Sequence, residues 1–274
     1  MNICVILPAA GVGQRFAAGG SAAGSKIEFE IENKPVFLHA IEAFRAVGNV
    51  GQIILAVHPD RLDDFRFRWE DKLAFLEVDL VAGGRAERWE TVKLALGAVK
   101  DGATHIAVHD AARPVVSQAV IERVFAAAAR LPAVIPGLPV SSTLKKTGLT
   151  ESTSEDLIDP LDDILGPETS PVAAARPVVQ TIPRDGIVAI QTPQVFEIEL
   201  LRNAYLDAES DTHVTDDAGL VEALGETVHV VDGDPGNIKI TRPEDVELAA
   251  ALIAYRKQAV AKKKVVDLFG DDDE

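Results

Sequence analysis

Short apolar runs alternate with longer segments of helical periodicity along most of the 274-residue chain. The runs, each apolar at consecutive positions, are Ile3–Pro8, Gln52–Val57, Val78–Ala82, His105–His109 and Ala133–Gly137. Such runs are typical of strands buried on both faces, as in parallel sheets. The amphipathic segments between them are Pro35–Val47, Leu62–Leu73, Glu87–Val99 and Gln118–Arg130. The pattern predicts an α/β fold with a mainly parallel, Rossmann-like sheet covered by helices on both faces.

The stretch PAAGVGQRF, residues 8–16, follows the first predicted strand, at the sheet edge where open α/β sheets bind ligands. A dinucleotide fingerprint does not fit, because Phe16 stands where its third glycine is needed. A Walker loop does not fit either, because Ser25 separates Gly24 from Lys26. Arg15 and Lys26 remain, eleven residues apart in a loop of small residues that can surround a triphosphate. The alternative, a tight turn with two solvated cations, stays open at this point.

Three further motifs lie in or after predicted strands. In HDAARP, Asp110 can bind Mg²⁺ or orient a substrate hydroxyl and Arg113 can bind phosphate, unless they are a helix cap and a surface cation. In GGRAERWET, residues 83–91, Thr91 can bind the ligand or face the core. In NIKITRPED, we expect Lys239 to lie in a short strand, Asn237–Ile240, and to point to solvent or to the cleft.

The alternating pattern breaks near Pro139. We expect the flanks of the next segment to pair as two strands of a projecting arm, residues 140–183, with Pro177–Ile182 as its second strand. Between them, 151–176 is an acidic and flexible insertion, with seven carboxylates and no Lys or Arg from Glu151 to Ser170. The function of this insertion does not follow from its composition.

The rest of the chain returns to the α/β pattern. QTPQ (191–194) and HVTDD (213–217) read as loops that lead into helices. The predicted elements are strands Ile187–Ile190 and Thr227–Val231, helices Glu197–Leu206 and Asp216–Leu224, and a last helix through about Arg256. Residues 1–255 are therefore predicted to form a single domain, and 256–274 a charged, disordered tail.

Charge and cysteine content restrict the partners and the compartment. With 27 basic and 43 acidic residues the formal charge is −16, which argues against nucleic acid or an anionic membrane as the main partner. The chain has one cysteine, Cys4, so no disulfide can form within it, and it has no basic leader or membrane-length apolar run. We expect a soluble, cytoplasmic protein.

The order of these motifs along the chain resembles that of the 2-C-methyl-D-erythritol 4-phosphate cytidylyltransferase family of the non-mevalonate isoprenoid pathway. The motifs are PAAGxGxR, the later Lys26, the GG turn, HDAARP, the arm motif PVxxTxK, TxxR, TPQ, TDD and NIKxTRPED. The resemblance runs from about residue 3 to residue 253. It implies CMP transfer from CTP to 2-C-methyl-D-erythritol 4-phosphate, with release of pyrophosphate. It also implies Mg²⁺ or another divalent cation across the CTP phosphates, and a homodimer that exchanges its arms.

The resemblance assigns roles to individual residues. Arg15 and Lys26 would stabilise the transition state, and Arg184 and Lys239 would position the attacking phosphate, with Arg184 serving the partner's active site. The residues that would line the cytidine and triphosphate pocket are Ala9, Ala10, Gly11, Gly13, Gly83, Gly84 and Thr91. Those that would hold the methylerythritol phosphate are Asp110, Arg113, Thr143, Thr192 and Thr215, with Asp110 also the metal ligand.

The chain departs from the family pattern in three places. The arm is longer by the acidic stretch, Ser142 stands where an Asp usually precedes Thr143, and the turn Gly83–Arg88 is one residue longer, which leaves Arg85 and Arg88 unassigned. Two other functions stay open at this point. One is cytidylyl transfer to another polyol phosphate, such as ribitol 5-phosphate, and the other is a non-catalytic nucleotide-binding role.

Overall fold

The computed structural model describes residues 1–11, 26–148, 176–207 and 215–269, with side chains through residue 259. The strands in the larger of its two compact units are β1 (Ile3–Ala9), β2 (Glu30–Ile31), β3 (Lys34–Pro35), β4 (Val50–Val57), β5 (Val78–Ala82), β6 (His105–Val108), β7 (Ala133–Pro139), β11 (Gln194–Glu197) and β12 (His229–Asp232), with β7 ending at the unit boundary. The intervening strands, β8 (Leu144–Thr147), β9 (Val178–Ile182) and β10 (Val188–Ile190), belong to the smaller unit or to its boundary. The helices are α1 (Val36–Arg45), α2 (Leu62–Phe75), α3 (Arg88–Leu96), α4 (Gln118–Ala128), α5 (Ile198–Asp207), α6 (Asp217–Ala223) and α7 (Glu244–Phe269).

The central sheet has the strand order β5-β4-β1-β6-β11-β7. β1 pairs in parallel with β4 and with β6, and β4 pairs in parallel with β5. β11 lies antiparallel between β6 and β7, and β12 pairs in parallel with β7. The prediction of a mainly parallel sheet is confirmed, and the carboxyl ends of β1, β4, β5 and β6 meet at one edge.

Both faces of the sheet are covered, as β1 illustrates. Ile3, Val5 and Leu7 belong to one apolar cluster and Cys4 and Ile6 to another, because side chains alternate along a strand. The first cluster includes buried side chains of α1, α2, α4 and α7, and the second those of α3, α5 and α6. These five β1 side chains are fully buried, and burying each of the aliphatic ones stabilises the fold by about 1.5–3 kcal/mol. Helices on both faces were predicted, and this is confirmed.

Strand β11 was not predicted, because QTPQ read as a loop. Gln194, its first residue, is 1% exposed, which is unusual for a glutamine. Its side-chain amide donates to Asp216 Oδ2 at 2.7 Å and accepts from the Ala218 N–H at 3.1 Å. These bonds satisfy a polar side chain inside the sheet, and they link β11 to the start of α6.

Several other elements differ from prediction. The prediction of a strand over Asn237–Ile240 is wrong, because the backbone there forms a loop. The Ile240 N–H of this loop donates to the Ala112 carbonyl at 2.8 Å. Strand β5 is largely half-buried rather than buried on both faces, because it lies at a sheet edge. Strand β10 is also largely half-buried. The hairpin β2–β3 was not predicted. Helix α7 continues to Phe269, beyond the end expected near Arg256.

No described helix combines the length and apolarity needed to cross a membrane.

The smaller unit, Pro139–Ala189, contains the residues that were predicted to form the arm. β8 and β9 pair antiparallel, with Leu144 opposite Ile182 and Lys146 opposite Gln180. The expectation that the flanks of this segment form two paired strands is therefore confirmed. Of the acidic insertion predicted at 151–176, residues 151–175 lie outside the described residues.

Candidate active site

A cavity of about 190 Å³ lies at the sheet edge where the parallel strands end. β1 ends with Ala9, β5 leads into the GG turn and β6 leads into HDAARP, so their carboxyl ends bring the three motifs together. The predicted site residues that line this cavity are Ala9, Ala10, Gly11, Lys26, Gly84, Thr91, Asp110 and Lys239. Most of the residues predicted for the nucleotide pocket thus line one cavity.

A second cavity of about 220 Å³ adjoins the first. The predicted site residues that line it are Asp110, Arg113, Thr192, Thr215 and Lys239. Arg88, Asp110 and Lys239 line both cavities, and we call these three residues the junction. Two spaces that share a charged wall can hold two molecules side by side.

Asp110 is the centre of the junction, and its side chain is 10% exposed. Its Oδ1 lies 3.3 Å from Arg88 Nε, and its Oδ2 lies 2.8 Å from Lys239 Nζ and 3.4 Å from Arg113 Nε. Burial alone would raise the pKa of this carboxyl, but Arg88, Lys239 and Arg113 together lower its pKa well below the ordinary value. Asp110 is therefore ionised, and it orients three cations toward the cavities.

Behind Asp110, a directed hydrogen-bond chain fixes the HDAARP backbone. His109 Nε2 lies 3.2 Å from the Arg113 carbonyl oxygen, which can only accept, so this nitrogen carries the proton. Burial lowers the pKa of His109 to about 4, so the ring is neutral and its Nδ1 accepts from the Thr192 hydroxyl at 3.0 Å. Thr192 Oγ1 in turn accepts from the Asp110 N–H at 3.2 Å. His109 is therefore a structural residue, and the Thr192 hydroxyl helps to hold Asp110.

The His109 environment predicts a specific pH dependence of stability. The unfolded chain protonates this imidazole below a pKa of about 6.5, whereas the folded chain does so only below about 4. Stability therefore falls as the pH drops through this window, and from pH 7.5 to pH 5 we expect His109 to account for about 2 kcal/mol. Urea unfolding at the two pH values should show this loss in the wild type and a smaller loss in His109→Gln. An equal pH dependence in both proteins would contradict the assignment.

The GG turn is organised by the first turn of α3. The Gly84 N–H donates to Thr91 Oγ1 at 3.0 Å, and the Glu90 carboxylate accepts from the Ala86 and Glu87 N–H groups at 3.1 and 3.3 Å. Thr91 is 2% exposed, and its methyl and hydroxyl groups pack against Gly83. Thr91 therefore shapes the cavity wall by holding the turn.

The two glycine motifs are expected to respond differently to an added methyl group. A Cβ on Gly84 would lie 2.5 Å from Glu90 Cβ, whereas a Cβ on Gly11 would meet no atom of the described residues within 4 Å. Gly84→Ala should lower the free energy of unfolding by about 1–3 kcal/mol, and Gly11→Ala should leave it within about 0.5 kcal/mol. Urea unfolding of both variants tests the difference, and equal effects would refute the packing explanation.

Arg88, the first residue of α3, is a site residue that the sequence left unassigned. Its Nη2 donates to Asp217 Oδ2 at 2.8 Å, and Asp217 Oδ1 accepts from the Tyr205 hydroxyl at 2.5 Å. Burial opposes the charge on Arg88, but Asp217 and Asp110 more than offset it and raise the pKa of this guanidinium. Arg88 and Asp217 are 129 positions apart in the chain, so neither predicts the other. The available signal is an arginine that opens a helix directly after a GG turn.

The remaining predicted residues fall into three groups. Thr143 and Arg184 are exposed residues of the smaller unit, where Arg184 Nη1 donates to the Ser141 carbonyl. Gly83 is buried against Thr91 and does not line either cavity. Arg15 and Gly13 lie outside the described residues.

A parallel sheet with a small-residue loop and cations at its carboxyl edge is typical of α/β proteins that bind phosphorylated ligands. Two adjoining cavities that share a cationic junction add the arrangement that a group-transfer enzyme requires. The fold and the site therefore define the class of α/β transferases that act on phosphate-bearing substrates.

The particular family follows from comparison with known proteins. The chain matches the 2-C-methyl-D-erythritol 4-phosphate cytidylyltransferase family over residues 3–156 and 165–255. A relative of that name from Acidobacterium capsulatum is 39% identical over 93% of this chain and 99% of its own length, and one from Solibacter usitatus is 35% identical over 91% and 94%. The crystal structure of the protein of that name from Thermus thermophilus superposes with a TM-score of 0.67, at 30% identity over 92% of this chain and 98% of that one. The chain belongs to this family and is a cytidylyltransferase, which confirms the resemblance found in the sequence.

Proposed function

We propose that the protein transfers CMP from CTP to 2-C-methyl-D-erythritol 4-phosphate, giving 4-diphosphocytidyl-2-C-methyl-D-erythritol and pyrophosphate. The observation that carries the proposal is the pair of adjoining cavities with a shared cationic junction, in a chain of this family. CTP would occupy the cavity beside Gly11 and the GG turn. The acceptor would occupy the cavity beside Arg113 and Thr215.

The proposed chemistry is a direct displacement at phosphorus. An oxygen of the acceptor phosphate forms a bond to the α-phosphorus of CTP, and the bond to the leaving pyrophosphate breaks. A phosphate dianion is already a competent nucleophile at neutral pH, so no general base is required. The burial and low pKa of His109 support this, because its ring is engaged in structural hydrogen bonds. Catalysis would then consist of positioning and of neutralising negative charge.

The cations of the site divide this work. Lys26 lines the CTP cavity, and Lys239 lines both cavities at 2.8 Å from Asp110. Lys239 would thus meet the attacking phosphate where it approaches CTP. Arg15 would add a guanidinium on the CTP side, as its place in the glycine loop suggests.

The family implies a divalent cation, Mg²⁺, and the donor chemistry of the site fits one. Asp110 lines both cavities with an ionised carboxylate, and Mg²⁺ is commonly held by one or two carboxylates together with substrate phosphates and water. Asp110 would therefore be its protein ligand. When bound, the ion would neutralise charge on the triphosphate. Arg88, Arg113 and Lys239 keep the Asp110 carboxylate ionised.

We also propose a homodimer in which the arms are exchanged, so that Thr143 and Arg184 serve the partner's site. The apolar side chains of Val178, Val179 and Ile182 on β9 are exposed, as an intersubunit surface would require. Mixing the inactive variants Lys239→Ala and Arg184→Ala under subunit exchange should restore part of the activity. The unmixed variants are the controls, and no recovery in mixed dimers would refute the exchange.

The proposed compartment is the cytoplasm. Cys4 is fully buried in β1, and burial raises the pKa of its thiol to about 12. A lone, inert thiol fits a protein that does not depend on oxidising conditions.

The proposed reaction is tested by pyrophosphate release. Purified protein with CTP and Mg²⁺ is given methylerythritol phosphate, ribitol 5-phosphate or no acceptor, with ATP replacing CTP as the nucleotide control. We expect turnover with methylerythritol phosphate and CTP. Turnover with ribitol 5-phosphate alone would replace the acceptor, and CTP binding without turnover on either would refute the proposal.

A further inference from the structure

A buried pair of residues behind the junction has no part in the mechanism above. Tyr205 on α5 is 2% exposed and Asp217, the first residue of α6, is fully buried. The Tyr205 hydroxyl donates to Asp217 Oδ1 at 2.5 Å, which leaves Oδ2 for Arg88 Nη2 at 2.8 Å. Burial and the Asp217 charge raise the pKa of Tyr205, so the phenol keeps its proton and remains a donor.

We propose that Tyr205 and Asp217 are positioning residues that fix the Arg88 guanidinium at the junction, where it binds the phosphates of both substrates. The proposal rests on the proposed function. Tyr205 and Asp217 act on the substrates only through Arg88, since neither lines either cavity. Arg88, in contrast, lines both.

The geometry of Arg88 supports a binding role. One edge of the guanidinium faces Asp217, and its Nε faces Asp110 Oδ1 at 3.3 Å. The planar guanidinium fork is suited to phosphate oxygens. Two carboxylates on different elements thus fix the plane of the group before a ligand arrives, and preorganised charges of this kind need no reorganisation during the reaction.

The charges at the junction also argue that Asp217 controls more than one residue. Without Asp217, Arg88 would have Asp110 as its remaining partner among the described residues and would compete there with Lys239. The loss of Asp217 would then disturb both cavities. Tyr205 holds the second Asp217 oxygen, so the carboxylate that pairs with Arg88 has a single orientation.

A double-mutant cycle tests the proposal. Tyr205→Phe removes only the hydroxyl and keeps the ring, and Tyr255→Phe is the matched control because the Tyr255 side chain is 70% exposed. We expect Tyr205→Phe to lower kcat about tenfold or more, since small displacements at a reacting centre can cost up to about a hundredfold. In an Arg88→Ala background the same change should lower kcat less than twofold. A structural role would give the same loss in both backgrounds.

Two further measurements keep the test decisive. The same cycle run on the Kd for CTP, by calorimetry without acceptor, should also show Tyr205→Phe weakening binding only when Arg88 is present. The Kd for CTP can be measured even if the proposed acceptor gives no turnover. A failure of the proposed reaction can therefore be told apart from a failure of the positioning role of Tyr205 and Asp217. Circular dichroism confirms folding, and Asp217→Asn provides a second variant if Tyr205→Phe is unstable. Equal effects of Tyr205→Phe with and without Arg88, in kcat and in Kd, would overturn the proposal.

Discussion

Replacing Lys239 by alanine is expected to lower kcat by about a hundred- to a thousandfold, the usual cost of removing one group that stabilises developing charge. The ammonium lies 2.8 Å from Asp110, and its side chain is 36% exposed, so a ligand can reach it from either cavity. The free energy of unfolding should change little by comparison, because a lysine that remains this accessible contributes little to stability. Steady-state pyrophosphate release measures the effect.

Lys257→Ala is the matched control for this variant. Lys257 lies on α7, its side chain is 66% exposed, and it pairs with Glu32 away from both cavities. We expect it to keep kcat within about twofold, as distant surface substitutions do. A similar loss of activity in the two variants would mean that Lys239 acts through general charge and not through its place at the junction.

Asp110→Asn should remove activity and stability together. Arg88, Arg113 and Lys239 would lose the carboxylate they share, and breaking a buried ion pair from one side typically costs about 3–5 kcal/mol. The three cations would also lose their common orientation, so kcat should fall by more than about a hundredfold. Urea unfolding and pyrophosphate release give the two effects.

The stability cost should depend on pH in a defined direction. Because the folded-state pKa of Asp110 is lowered, its contribution is present above the unfolded pKa of about 3.9 and is lost as the pH falls further. The difference between wild type and Asp110→Asn should therefore be largest near neutral pH and shrink in acid. Asp63→Asn removes the same charge from a fully exposed side chain and should show almost no difference at any pH. A difference that is constant with pH would contradict the ionised, ion-paired state of Asp110.

The parallel part of the fold was predictable because its strands are apolar at consecutive positions. β1, β4 and β6 are short runs of buried aliphatic residues between amphipathic segments, and such runs have few other places in a folded chain. β11 was not predictable, because its first residue is a glutamine that is satisfied by partners 22 and 24 positions away. At Asn237–Ile240 the sequence pattern predicts a strand, but the structure has a loop, which carries Lys239.

Some site residues were predictable from the sequence and others were not. Asp110 and Gly84 follow strands directly, so the topology alone brings them to one edge. Arg88 acquires its role from Asp217, 129 positions away, through the ion pair that links the first residue of α3 to the first residue of α6. Thr91 and Thr192 are predicted to contact substrate, and each lines one of the cavities. Their hydroxyls also hold the cavity walls through hydrogen bonds to distant residues. Sequence spacing identifies polar residues near a site, but the hydrogen bonds that decide their roles are long-range.

An isotope measurement distinguishes attack of the acceptor phosphate on the α-phosphorus of CTP from attack at another phosphorus. Methylerythritol phosphate carrying ¹⁸O in its phosphate group is turned over with unlabelled CTP and Mg²⁺, and both products are analysed by mass spectrometry. We expect the 4-diphosphocytidyl-2-C-methyl-D-erythritol product to retain all of the label and the pyrophosphate to carry none. Label in the pyrophosphate, or CDP formed in place of pyrophosphate, would contradict attack at the α-phosphorus.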